Sequence, residues 1–184
     1  MYKRYPFLRK SYAFKVARIE PENNIDLILT AFADSTINLV IVGNWNNSAY
    51  GKNPREKFGD YPNLYLLDPI YNQTELDMLR SNCWSYVHGH KAGGTNPSLV
   101  EAMYLGLPII AFDVNYNKET TEYSALYFKN MEELRELITL INYPQLRAVG
   151  TTMKQIATRR YNWKRIAHRY YQLFELPVHV IRKP

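Results

Sequence analysis

A pair of adjacent glycines between a predicted strand and a predicted helix is the segment of this sequence best suited to bind a ligand. Gly93 and Gly94 lie in the segment 88–103, which leaves a strand, turns at the glycines and enters a helix. Adjacent glycines allow positive φ and a close approach of the backbone to a ligand. Asn96 is the predicted N-cap and Pro97 the first helical residue. The pattern therefore predicts a helix N-terminus that faces a ligand.

Phosphate is the ligand that this helix start favours. Backbone N–H groups around Gly94, Thr95 and Ser98 would point from a helix N-terminus, which attracts anions. Glu101 follows Pro97 by four residues and so lies on the same helix face, one turn further in. A carboxylate at that place can accept hydrogen bonds from ribose hydroxyls. A plain turn followed by a surface acid would have the same local sequence, so the interpretation depends on the rest of the chain.

The elements that would position this segment alternate along the chain. Short runs rich in β-branched and aromatic residues predict six strands, at 12–18, 37–43, 64–67, 84–88, 107–112 and 125–128. Amphipathic helical patterns separate them. Because such alternation needs crossover connections, we expect a Rossmann-like, doubly wound α/β fold with a mostly parallel six-stranded sheet, helices on both faces and a helical C-terminal extension.

Ligands of doubly wound folds bind beyond the carboxyl ends of the strands, near the point where the strand order reverses. The loops that follow the predicted strands are therefore the expected locations of the site: those after Arg18, Gly43, Leu67, His88 and Phe112. His88 itself is expected to be a core histidine with its hydrogen bonds satisfied. His90 is equally compatible with a surface position and with contact to a ligand.

Composition excludes several classes of protein. Apolar residues make up 46% and charged residues 22%, which is typical of a folded soluble chain and argues against disorder. Cys83 is the single cysteine, which excludes an internal disulfide and a multi-cysteine zinc site. No apolar run approaches the ~20 residues that span a bilayer, and the first residues lack the apolar core of a signal peptide. We expect a cytoplasmic protein.

Charge is distributed unevenly among four predicted regions. These are a basic lead-in at 1–11, an α/β domain at 12–143, helices at 144–176 that pack on the same domain, and a tail at 177–184. Residues 1–18 carry six Lys or Arg and no acid, and residues 144–184 carry nine Lys or Arg and one acid, whereas the middle is acidic. The basic ends are either solvated helix faces or a surface for an anionic partner.

A membrane surface is the anionic partner that we expect for the basic ends, which would place the protein at the inner face of the membrane. An acidic partner domain and nucleic acid are the other anionic partners considered. Arg159, Arg160, Lys164, Arg165 and Arg169 cluster with aromatic residues near the C-terminus, as in some single-strand binders. Because these aromatics recur at helical core spacing, packing explains them better, and nucleic acid is not an expected partner.

Several motifs occur in order and share a family resemblance. They are ARIEPENN at 17–24, Gly43 at the end of the second strand, EAMYLGLP at 101–108, FDV at 112–114 and YNW at 161–163. Over residues 12–175 the chain resembles the donor-binding C-terminal half of glycosyltransferase family 4 enzymes, which have the GT-B fold. The sequences of residues 18–24 and of GGTNPS at 93–98 are most similar to those of bacterial rhamnosyltransferase-like enzymes of surface-polysaccharide clusters.

The resemblance implies transfer of a hexosyl group from a nucleoside-diphosphate sugar to a saccharide or lipid-linked acceptor, without a metal or cofactor. The implied catalytic residues are Arg18, which would stabilise the charge on the departing phosphate, and Glu101. The implied donor-binding and phosphate-binding residues are Gly93, Gly94, Thr95, Asn96, Ser98, Lys91, His90, Gly43 and Asn44. Asp68, Pro69 and Ile70 would hold the nucleobase. The acceptor-binding N-terminal domain is missing from this chain, so we expect donor binding with weak or no transfer.

Two positions depart from the family pattern. Gly93 stands where the family has the first Glu of its motif, and Asn23 stands where it has a phosphate-binding Lys. The sugar contact would then fall to the backbone or to a neighbour such as His90 or Lys91. An alternative function is consistent with these losses: a non-catalytic module that binds a nucleotide or a sugar phosphate.

Overall fold

A six-stranded parallel sheet organises the computed structural model, which describes residues 4–140 and 143–175. The strands are β1 (Tyr12–Val16), β2 (Asn38–Val42), β3 (Leu64–Leu67), β4 (Ser85–His88), β5 (Ile109–Phe112) and β6 (Leu126–Phe128). Their order is β3-β2-β1-β4-β5-β6, and every neighbouring pair is parallel. The predicted Rossmann-like sheet is therefore confirmed, with some of its strands one or two residues shorter than predicted.

Helices connect the strands and then extend the chain. They are α1 (Ile25–Ala33), α2 (Ala49–Phe58), α3 (Gln73–Ser81), α4 (Pro97–Tyr104), α5 (Asn115–Thr120), α6 (Met131–Leu140), α7 (Tyr143–Arg160) and α8 (Trp163–Glu175). A short 3-10 helix at Pro21–Asn23 precedes α1. Helix α4 begins as predicted, because the Asn96 side chain accepts a hydrogen bond from the Ser98 N–H and Pro97 takes the first helical position.

Each face of the sheet has its own apolar core because side chains alternate along the strands. Phe14 and Tyr86 point into one core, which α3, α4 and α7 cover. Ala13 and Val87 point into the other, which α1 and α6 cover. A fully buried aliphatic or aromatic side chain contributes about 1.5–3 kcal/mol, so two continuous clusters account for most of the stabilisation of the domain.

The strand order reverses between β1 and β4, and the loops after these two strands contact each other. A Cβ atom at Gly89 would lie 2.4 Å from the Asn23 carbonyl oxygen, so this contact requires glycine. Asn24 adopts a left-handed conformation with φ of 51°, and its side-chain amide donates to the Gly89 carbonyl at 2.8 Å. The Lys91 N–H donates to the Glu22 carbonyl at 2.8 Å. These contacts fix the two loops at the carboxyl edge of the sheet.

The two C-terminal helices differ in how they pack. Met153, Ile156 and Ala157 of α7 are buried against the core beneath α4. No residue of α8 is buried, and Trp163 and Phe174 are 81% and 84% exposed. The helical spacing of the α8 aromatics predicts a packing face, but no described part of the chain covers it. Within the described residues, none of the helices combines the length and apolar character needed to cross a bilayer.

The contact between α7 and the turn after α4 generates a testable prediction. A Cβ atom at Gly150 would lie 2.3 Å from the Gly106 carbonyl oxygen. Inside a helix, alanine stabilises the fold by up to about 1 kcal/mol relative to glycine. At position 150, the clash with the Gly106 carbonyl should outweigh this gain. We expect Gly150→Ala to lower the free energy of unfolding by about 1–3 kcal/mol, measured by urea denaturation.

Gln155→Ala, at an exposed position of the same helix, is the matched control and should change the free energy by no more than about 0.5 kcal/mol. A Gly150→Ala protein more stable than the wild type would show that α7 does not approach Gly106 as closely as described.

Candidate functional site

A cleft of about 450 Å³ opens at the carboxyl ends of β1 and β4, where the strand order reverses. Its walls come from the loop after β1, from α3, from the loop after β4 and from the first turn of α4. The side chains that line it include Lys15, Arg18, Asn23, Arg80, His88, His90, Asn96, Ser98 and Glu101. The cleft lies where ligands bind in doubly wound folds, and it brings together five of the residues predicted from sequence: Arg18, His90, Asn96, Ser98 and Glu101.

Arg18 stands at the rim of the cleft. Its side chain is largely exposed and forms an ion pair with Glu22 across one turn, at 3.2 Å between Nη2 and Oε1. An exposed pair of this kind contributes little to stability. The guanidinium can therefore leave Glu22 for an anionic ligand at small energetic expense.

Glu101 is held by a buried arginine that the sequence analysis did not single out. Arg80 of α3 is 2% exposed in its side chain and contacts the Glu101 carboxylate at 2.8 Å and the Asp77 carboxylate at 3.1 Å. Glu101 remains half exposed, and its carboxylate faces the cleft. Because a guanidinium has five donors in a rigid plane, Arg80 fixes the carboxylate while leaving it free acceptor sites.

The start of α4 is fixed by a short hydrogen-bond chain. The Asn96 side chain accepts from both the N–H and the hydroxyl of Ser98, at 3.0 and 2.8 Å. The buried Tyr86 hydroxyl lies 3.0 Å from the Ser98 oxygen and 3.2 Å from the Val16 carbonyl oxygen. Helix α4 is thereby tied to the ends of β1 and β4, with its N-terminus on the cleft.

Basic side chains form the floor of the cleft. Lys15 is 1% exposed, and burial lowers its pKa to about 7. His88 is buried as well, and burial together with the Lys15 charge places its pKa well below the ordinary value. The prediction that the hydrogen bonds of His88 are all satisfied is wrong, because its Nε2 atom has no hydrogen-bond partner within the described residues. Burial and then Lys15 also lower the pKa of His90, whose Nδ1 lies 3.1 Å from the Asn23 amide oxygen.

The remaining predicted residues lie outside the cleft lining. Lys91, Gly93 and Gly94 are exposed in the loop that leads to α4, where Gly93 has a φ of 95°. Thr95 lines a neighbouring groove of about 560 Å³ between α4 and α8. Their predicted role in donor binding remains a prediction.

The loops after β2 and β3 are also at some remove from the cleft. Gly43 packs against Ile19 so closely that a Cβ would lie 2.5 Å from its terminal carbon, and Asn44 is exposed. Asp68 forms an ion pair with Arg55 at 2.7 Å, and Pro69 and Ile70 are partly buried beside it. These five positions share the carboxyl edge of the sheet with the cleft without lining it, and their predicted contacts to donor and nucleobase remain predictions.

The sequence analysis did not single out Lys15 or Arg80, although the sequence contains a signal for each of them. Lys15 is a charged residue inside an otherwise apolar strand, YAFKV. Arg80 falls on the apolar stripe of α3, four residues after Leu76. A charge at a position that faces the core is informative because buried charges need a partner.

The sequence also matches a known protein family. Residues 4–142 match the family model described as glycosyl transferases group 1. A curated relative, an uncharacterized glycosyltransferase of Methanocaldococcus jannaschii, is 27% identical in an alignment 178 positions long, which covers 87% of this chain and 44% of the relative.

Solved structures with the same fold include the following two proteins. The sucrose-phosphate synthase of Thermosynechococcus elongatus superposes with a TM-score of 0.79 at 19% identity, over 91% of this chain and 45% of that one. The Anabaena protein HepE in complex with UDP-glucose gives 0.80 at 17% identity, over 95% and 51%. The chain therefore spans about half the length of the proteins it resembles.

The Arg80 bridge can be tested by a pair of matched substitutions. Removing the buried guanidinium takes the ion-pair partner from the Glu101 and Asp77 carboxylates, of which Asp77 keeps a hydrogen bond from the Gln73 amide, and leaves a gap beside the core. We expect Arg80→Ala to lower the free energy of unfolding by about 2–4 kcal/mol, measured by urea denaturation. Arg55→Ala breaks an exposed ion pair of similar length with Asp68 and should cost at most about 1 kcal/mol. Equal losses in the two variants would contradict a structural role for burial of Arg80.

Proposed function

This chain belongs to the glycosyl transferases group 1 family, and from that premise we propose that its cleft binds the nucleoside-diphosphate sugar donor of a glycosyltransferase. The observation that carries the proposal is the meeting of Arg18, the α4 N-terminus and Glu101 in one cleft at the strand-order reversal. These three groups suit three parts of a nucleoside diphosphate. The guanidinium and the helix N-terminus can bind the two phosphates, and the carboxylate can bind the ribose.

The reaction breaks the bond between the sugar and the diphosphate, and negative charge then grows on the departing phosphate. Donors that are already in place stabilise such charge best, because they need no reorganisation during the reaction. We propose that Arg18 and the N–H groups at the start of α4 are those donors. Arg18 would exchange its exposed contact with Glu22 for the phosphate.

Glu101 is proposed to accept hydrogen bonds from the ribose hydroxyls. The Arg80 bridge supports this role because it orients the carboxylate before a ligand arrives. A group held in advance loses less conformational freedom on binding than a mobile side chain does.

The finer parts of the proposal concern substrates. We propose hexosyl transfer to a saccharide or lipid-linked acceptor in the synthesis of bacterial surface polysaccharide, as in rhamnosyltransferase-like enzymes. The acceptor would bind to a second Rossmann-like domain, which the coverage of about half of each structural relative supports. The chain alone should then bind donor and transfer sugar weakly or not at all.

A second candidate is a binding module without catalysis. It is favoured by Gly93 and Asn23, which replace a glutamate and a lysine of the resembling family. Sugar transfer by this chain together with an acceptor-binding domain would contradict it, whereas nucleotide binding alone is common to both candidates.

Membrane association is proposed through α8. Its apolar residues Trp163, Ile166, Tyr170 and Phe174 recur on one side, and Lys164, Arg165 and Arg169 add positive charge. Basic amphipathic helices lie in the interface of anionic membranes, with the apolar side among the acyl chains. An acceptor attached to lipid would then be reached from the membrane surface.

Nucleotide binding is the first test, by calorimetric titration with UDP, GDP, dTDP and CMP. We expect preference for one of them, with affinity reduced about tenfold or more, or some 1.4 kcal/mol, by Arg18→Ala and by Glu101→Ala. Glu132→Ala and Arg147→Ala, at exposed positions away from the cleft, are the controls and should bind as the wild type does. Wild-type binding by both cleft variants would contradict the proposed site.

Membrane association is tested by sedimentation with lipid vesicles. Vesicles that contain phosphatidylglycerol should bind the protein, and the Trp163→Ala/Phe174→Ala variant should bind at least about fivefold more weakly. Tyr71→Ala removes an exposed aromatic residue from a different loop and should leave binding unchanged. Absence of binding to these vesicles would reject the membrane proposal.

A further inference from the structure

Lys15 is the buried charge in this molecule that the functional proposal has not yet used. It lies on the central strand β1 between Phe14 and Val16, and it is 1% exposed. Within the described residues it forms no hydrogen bond and no ion pair. A buried ammonium without a partner costs several kcal/mol, and proteins usually avoid it by pairing or substitution. The presence of a lysine at this position therefore indicates an anionic ligand that can pair with its ammonium group.

The other side chains of the cleft do not supply that partner. Glu22 is paired with Arg18, and Glu101 is paired with Arg80. What lies near Lys15 is basic instead: the Lys15 charge contributes, after burial, to the lowered pKa values of both His88 and His90. The buried Nε2 atom of His88 also has no hydrogen-bond partner in the part of the chain that the structure describes. Among those residues, the floor of the cleft therefore carries an excess of basic groups without a compensating anion.

We propose that Lys15 is a phosphate ligand of the bound nucleotide, which it meets from the floor of the cleft while Arg18 meets it from the rim. The inference rests on the proposed function, because it takes the occupant of the cleft to be a nucleoside diphosphate. Lys15 lines the same cleft as Arg18, Ser98 and Glu101, so one diphosphate can contact the lysine, the arginine and the start of α4. A bound diphosphate supplies the negative charge that the described residues do not.

Burial of Lys15 links binding to proton uptake. With a pKa of about 7 in the unbound chain, most Lys15 side chains are neutral amines at pH 8. A diphosphate favours the ammonium form and raises this pKa. Binding at pH 8 should therefore take up as much as about one proton per nucleotide, and affinity should fall as the pH rises from 7 to 9.

The remaining ionisable groups that face Lys15 do not produce the same signature. They come from every element around the cleft: Arg18 and Glu22 after β1, Asp77 and Arg80 of α3, Tyr86 and His88 of β4, His90 after β4, and Glu101 of α4. The pKa values of both histidines are lowered from 6.5, so they take up protons below pH 7. Burial raises the pKa of Tyr86, so that it stays neutral throughout. Because a bound diphosphate raises the histidine pKa values as well, the part of the proton uptake at pH 8 that Lys15→Met loses is the part that reports on Lys15.

The experiment is calorimetric titration with UDP and with inorganic pyrophosphate at pH 8, in two buffers of different ionisation enthalpy. UDP is chosen because HepE has been solved with a UDP-sugar. With both ligands, we expect the wild type to take up more protons at pH 8 than Lys15→Met does, since proton exchange by the ligand itself is common to the two proteins. Lys15→Met should bind about tenfold more weakly at pH 7 and show a smaller decline in affinity between pH 7 and 9. Lys15→Leu is the second variant, and Lys52→Met, at an exposed position of α2, is the control that should behave as the wild type.

Thermal unfolding separates a ligand role from a structural role. Because the buried amine destabilises the unbound fold, Lys15→Met should melt at the same temperature as the wild type or higher, whereas a structural lysine would lower it. Equal proton uptake by the wild type and Lys15→Met, or wild-type affinity in both Lys15 variants, would overturn the inference and leave the proposed function standing. Failure of the wild type to bind UDP, GDP, dTDP or pyrophosphate would overturn both.

Discussion

The reversal of strand order between β1 and β4 is the constraint on which the rest of this structure depends. Chains that leave two adjacent parallel strands for opposite faces of the sheet must open a crevice between them. Here the crevice is closed at its base by backbone contact: Gly89 lies against the carbonyl of Asn23, and Asn24 bonds back to Gly89. The side chains that line the cleft come from the two loops so joined, from the ends of β1 and β4, and from helices α3 and α4 beside them.

The parts of the fold that depend on local sequence were predictable. Asn96 and Pro97 specify the start of α4 by their own chemistry, and apolar β-branched runs specify the strands. The parts that depend on tertiary contact were not. Arg80 of α3 contacts Glu101 of the next helix, α4, and the residues next to Arg80 in the sequence do not indicate that partner. The spacing of aromatics in α8 is the same for a helix packed in a core as for a helix with an exposed apolar face, so periodicity could not distinguish them.

The cleft combines charges of three different kinds. Arg18 pairs at the surface with a carboxylate that water can replace, Arg80 pairs in the interior and acts as a fixed support, and Lys15 is buried without a partner among the described residues. Breaking the second arrangement should cost the most, because the Arg80 side chain fills buried space, whereas an exposed pair contributes little and an uncompensated buried charge opposes folding. A binding site that carries such a charge is less stable when empty than when occupied, which is the usual trade between stability and function.

Helix α8 is thirteen residues long and buries none of them against the domain. Helices of about this length are marginal in water when no tertiary contact supports them. On the proposed membrane surface, the free energy that holds α8 together would come largely from the contact of its apolar side with lipid, so that folding of this segment and membrane binding would be one thermodynamic event. Its backbone amides would then exchange with solvent deuterium almost freely in the chain alone and slowly on vesicles, which would make α8 a built-in reporter of membrane binding.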